Sequence, residues 1–186
     1  MHDQRSEIAF EGSARPVLAG LLAVQAFLGY EWLMSGLAKV LSGEFVSGLG
    51  DHFNETLDEA SGFYKSFLET TVIPNAQLFG YLVTIGEVAL GMGLIVAAAT
   101  WWFRWSSLSL GGRSIVLGVV VLGGVIAIFM NVNFHLANGS SHPWLIAADP
   151  FDEGVDLDSV MPLIQLAISL VALTLLRRIR AARAEA

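Results

Sequence analysis

The chain has 186 residues, 54% of them hydrophobic and only 15% charged. Soluble domains carry roughly a quarter charged residues, so this composition points to lipid as the solvent. The net charge of -7 gives no reason to expect nucleic acid, and the absence of cysteine excludes disulfides, thiolate metal sites and cysteine nucleophiles.

Four apolar runs predict membrane-spanning helices at about Pro16–Val40, Ala76–Trp102, Ser114–Phe134 and Ser159–Leu176, of 25, 27, 21 and 18 residues. At ~1.5 Å per residue the first three suffice for a hydrocarbon core of ~30 Å, and the fourth is near the lower limit. Ser13 is a candidate cap for the first helix, with Pro16 in its first turn. The connection from about Leu41 to Asn75 is long. Phe45, Leu49, Phe53 and Leu57 recur every four residues in it, and Phe63 and Phe67 repeat the spacing. Either short amphipathic helices over the bundle mouth or a loop resting on the interface fits that pattern, since Gly48, Gly50 and Gly62 weaken a long helix. The run Trp101-Trp102-Phe103-Arg104-Trp105 reads as an interfacial anchor. From His135 to Asp158, Gly139, Pro143 and Pro150 predict an irregular connection, after which Asp158 or Ser159 caps the fourth helix and Pro162 falls in its first turn.

The expected architecture is therefore all-α: one polytopic four-helix membrane bundle spanning residues 1–186, with no second domain. Arg5, Arg15, Arg104, Arg113, Arg177, Arg178, Arg180 and Arg183 all fall on one side of it, and only Lys39 and Lys65 towards the other. The positive-inside rule then puts both termini in the cytoplasm and the protein in the cell's inner or plasma membrane. Eleven of the seventeen acidic residues lie in the two outer connections.

Two acids do not. Glu31 and Glu87 sit inside apolar runs, and an intramembrane ionisable residue marks a functional site by default. Counting inward at ~1.5 Å per residue puts them roughly 13 and 16 Å below the outer boundary, nearly level. Glu31, Ser35 and Lys39 share one helical face, as do Gly80, Thr84, Glu87 and Gly91 on the second helix, and Gly124, Ile128, Asn131 and His135 on the third. The result is a polar funnel that opens outward and ends on two carboxyls. Both cannot stay ionised in a low dielectric unless a cation intervenes, and Lys39 is the one basic residue within reach. Two readings stay open: a proton-handling site suited to a quinol or a similar redox carrier, or an interhelical hydrogen bond that fixes packing. His52, His135 and His142 match no known metal-ligand spacing, so no metal site is expected.

The stretch Gly29–Phe45, GYEWLMSGLAKVLSGEF, resembles the first-helix signature of the DoxX/DoxD membrane proteins. Leu78–Val96, LFGYLVTIGEVALGMGLIV, is similar to that family's second helix, a glutamate followed by glycines. Asn131-Val132-Asn133-Phe134 and then Trp144 also look family-like, and the long first outer connection is closer to DoxD. The Trp-rich turn departs from the short threonine–arginine turn expected after the second helix. The resemblance implies a membrane subunit of a thiosulfate:quinone oxidoreductase working with a separate extracytoplasmic or membrane subunit.

On this reading Glu31 and Glu87 handle protons, while Lys39, Asn131 and His135 contact a quinone headgroup or an anionic substrate. The competing expectation is a non-catalytic subunit that anchors a larger membrane complex. A transporter would need polar residues continuing to the cytoplasmic face, and below the two acids stands only Gln25.

Overall fold

In lipid no water satisfies the backbone, so a long apolar segment has to form its hydrogen bonds internally, as a helix. The computed structural model describes residues 2–60, 62–137 and 157–184. In chain order these form α1 (His2–Ser42), α2 (Phe45–Thr56), α3 (Gly62–Phe67), α4 (Ala76–Arg104), α5 (Leu110–Ala137) and α6 (Leu157–Ala184). A π-helical turn (Leu68–Val72) and a 3-10 turn (Ile73–Asn75) join α3 to α4, and a 3-10 turn (Trp105–Ser107) follows α4.

Helices α1, α4, α5 and α6 are long and apolar enough to cross a membrane, and the protein is a multi-pass membrane protein. The apolar parts of α1, α5 and α6 cover 27, 28 and 22 residues, and α4 has 29. Each exceeds the ~20 residues a bilayer core requires. Side chains such as Phe27, Met34, Leu82, Ile85, Leu122 and Phe129 point outward from the bundle, where lipid covers them. The interior is built around an apolar cluster that includes Leu28, Trp32, Leu94, Leu117, Val120 and Ala172.

Several helix boundaries differ from the sequence expectation. Helix α1 begins at His2 and continues through Pro16, and α6 begins at Leu157 and runs through its arginines to Ala184. Proline deletes one backbone donor without forbidding helix on either side, so a helix can absorb it. The expected outer loop at His135 starts later, because α5 runs to Ala137. The rest of that connection, with His142, Trp144 and Asp149, lies outside the described residues.

Neighbours in the bundle are α1 with α4, α4 with α5, and α5 with α6, whereas α1 meets α6 at few places. Glycine sets the closest approach. A Cβ on Gly91 would strike the Leu33 nitrogen and the Gly29 carbonyl oxygen, and one on Gly36 would lie 2.8 Å from the Val88 nitrogen. The α1 and α4 backbones thus pass almost in contact.

The connection after α1 is helical, which settles the two alternatives for it. Gly43, at φ 67°, turns the chain out of α1. Helix α2 then lies over the start of α4: a Cβ on Gly80 would stand 3.0 Å from the Val46 Cα. Ala60, Tyr64, Leu68 and Val72 form a second cluster with Ala137, so α3 and the π turn cover the end of α5. The Tyr64 hydroxyl donates to Asn133 Oδ1 at 2.7 Å. At the opposite end Trp101 stacks on Trp105 with ring centroids 4.7 Å apart, and Arg113 lies over the Trp105 ring while its Nε donates to the Trp105 carbonyl.

Four spans put both termini on one side. Single cysteines at Ser47 in α2 and Ser107 in the α4–α5 turn, both exposed, test which side that is. The arginine distribution predicts that an impermeant thiol reagent added to intact cells labels the cysteine at 47 and spares the one at 107. The opposite pattern overturns the orientation.

Candidate functional site

The site lies at the bundle end that carries α2 and α3, the outer end in the expected orientation. Lys39 is eight residues beyond Glu31 on α1, just over two turns, and its stem crosses towards α4. Lys39 Nζ donates to both Glu87 carboxylate oxygens, at 2.9 and 2.8 Å, and to Ser35 Oγ at 2.8 Å. The Phe45 ring of α2 supplies a fourth contact, its centroid 5.1 Å from the ammonium. Glu87 is 1% exposed, whereas the Lys39 side chain keeps 21%. A fully buried anion is thus held by a cation that still reaches the surface.

Above this pair a groove of about 540 Å³ opens between α1 and α2. Ser35 and Lys39 form its polar floor, Phe45 and Leu49 an apolar wall, and His52 and Glu44 also line it. Phe45, Leu49 and His52 occupy one face of α2. The four-residue apolar spacing signalled that face but did not reveal its use.

The structure brings together only some of the expected site residues. Lys39 and Glu87 meet, with Ser35 joining them. Glu31 does not meet Glu87. It is half-buried and makes no hydrogen bond or ion pair among the described residues. The expected convergence of two carboxyls is therefore replaced by an ion pair, because Lys39 is long enough to reach α4 and neutralise Glu87 directly. Asn131 and His135 are buried in the bundle, 4% exposed each, and do not line the groove.

Behind the ion pair is a feature the sequence reading did not assemble. Trp32 Nε1, Thr84 Oγ1, Asn131 Nδ2, Gln165 Nε2 and Ser169 Oγ are buried without a partner among the described residues. They come from all four spanning helices. Gln165 and Ser169 sit one turn apart on α6, a spacing visible in the sequence but easily lost among apolar neighbours. Among the described residues no group of three or more histidine, cysteine, aspartate or glutamate side chains is placed to hold a metal ion.

Compared with family models, with curated proteins and with solved structures, the chain matches none.

Proposed function

We propose that the chain is the integral membrane subunit of a quinone-linked oxidoreductase, similar to the thiosulfate:quinone type, seated in the cell's inner or plasma membrane. The observation that supports this reading is Lys39, paired with the buried Glu87, on the floor of a groove with an apolar wall. Such a surface suits a flat ring bearing oxygens: Lys39 and Ser35 offer donors, and Phe45 and Leu49 pack the ring. A bound quinone supplies acceptance of two electrons and two protons at its oxygens. The chain's own residues do the rest. Lys39 holds an oxygen of the headgroup, and Glu87, an anion at rest within one hydrogen bond of Lys39, takes up a proton during turnover and passes it outward to the headgroup. Electrons reach the site from a separate extracytoplasmic or membrane subunit. Glu31, two turns inward on the face of Lys39, serves as a reserve proton carrier in this scheme.

Glu87→Gln tests the reading, since the amide still accepts from Lys39 but carries no titratable proton. Quinone reduction per assembled complex is expected to fall by about tenfold or more, as for loss of a general acid–base group. Complex yield is expected to stay near normal. The same bidentate bond also ties α1 to α4, which favours an accessory, scaffolding subunit as the second reading. Unchanged turnover per complex in both Glu31→Gln and Glu87→Gln would select it.

A further inference from the structure

Glu87 meets the groove only through Lys39, and among the described residues the bundle interior holds further polar groups without a partner. Thr84 stands three residues outward of Glu87 on the same buried face of α4. On α5, Asn131 is seven residues outward of Gly124, against which Ser169 of α6 packs. At ~1.5 Å per residue these polar groups span about 10 Å of bundle axis. Trp32 lies beside this stretch, its ring 6.4 Å from that of Phe134 on α5. All five unpartnered side chains are more than nine-tenths buried: Trp32 4%, Thr84 7%, Asn131 4%, Gln165 2% and Ser169 8% exposed. Inward the polarity stops. Leu94, Ala97, Leu117, Val120 and Ala172 close the interior, and the amide of Gln25 is already bonded to the Leu94 carbonyl oxygen at 3.0 Å.

We infer that this part of the bundle is a blind hydration chamber, a buried site whose ligand is water. Four helices each turn a hydrogen-bonding group into one short stretch of lipid-shielded interior. A native fold leaves such groups unmatched only rarely, and small clusters of ordered water are the usual partners. Two groups are hydroxyls that both donate and accept, and the other three are N–H donors, a set that bridges through water oxygens. The chamber solvates Glu87 from behind and gives its proton a polar route within the outer half of the membrane. The apolar layer beneath denies it a route to the cytoplasmic side. The inference does not rest on the quinone reading, and its test involves no quinone.

X-ray radiolysis in lipid nanodiscs, which generates hydroxyl radicals from bound water, probes the chamber directly. Trp32 is expected to be oxidised although bulk solvent does not reach it. In Thr84→Val/Ser169→Ala that oxidation is expected to fall several-fold, with lipid-facing Trp102 unchanged. Each single variant is also expected to lower the unfolding midpoint, because water bridges are lost. Real orphans would behave oppositely, since removing an unsatisfied hydroxyl raises stability or leaves it level. An unmodified Trp32, oxidation unchanged by the double variant, or a raised midpoint in Thr84→Val or Ser169→Ala overturns the proposal. Should the double variant fail to assemble, Ser169→Ala alone supplies both readouts.

Discussion

Lys39→Met is expected to lose about 3–5 kcal/mol of bundle stability in detergent unfolding, the range found when one partner of a buried ion pair is removed. Methionine matches the lysine stem in length but leaves the Glu87 carboxylate, 1% exposed, without its cation. Three charge-assisted hydrogen-bond contacts collapse onto one residue here, two to Glu87 and one to Ser35. Glu87→Ala is expected to cost less, because Lys39 keeps 21% of its side chain exposed and can carry its charge to the interface. The double variant Lys39→Met/Glu87→Leu is expected to recover most of the loss, since an apolar pair of similar volume removes both charges together. If the single and double variants lose the same amount, the pair does not couple α1 to α4. The comparison thereby separates what the pair does for the fold from what Glu87→Gln reports about chemistry.

Gly91→Ala is expected to be the most damaging methyl group that can be added to the bundle. Its Cβ would collide with the Leu33 nitrogen and the Gly29 carbonyl oxygen, atoms of the α1 backbone that no rotamer change can move. The helices would have to separate along their closest stretch, and overpacking of that kind costs about 1–3 kcal/mol or more. Separation would also pull Lys39 away from Glu87, because at Gly36, between the two contacts on α1, the helices are so close that an added Cβ would stand 3.0 Å from the Glu87 Cβ. Gly118→Ala provides the control. It also lies in a spanning helix but meets nothing within 4 Å, so its expected effect is neutral or slightly stabilising through helix propensity. Equal unfolding midpoints for the two variants would show that α1 and α4 do not pack as described.

Much of the bundle was legible in the sequence because lipid leaves few alternatives. A run of about 20 apolar residues must be a helix, and a polar residue inside one must face its neighbours. Helical arithmetic therefore placed Gly80, Thr84, Glu87 and Gly91 on one buried face of α4, and Gly124, Ile128, Asn131 and His135 on one face of α5 that is buried except for a half-buried Ile128. The helix ends were less legible. Pro16 and Pro162 look like boundaries in one dimension, yet both lie inside helices.

Pairing across helices was decided only in three dimensions. Depth counting made Glu31 and Glu87 level, but depth says nothing about rotation around the bundle axis or about the reach of a third side chain. Residue by residue, the sequence determined four spans, the buried faces of α4 and α5, and the cation able to neutralise an internal acid. The tertiary structure decided that the α1 and α4 backbones nearly touch at Gly91, and that this approach lets Lys39 take Glu87. It also decided that α2 folds back to wall a groove above them. The physical reason is that a helix fixes the direction of each side chain by local geometry, whereas the partner it meets depends on how closely two backbones can approach.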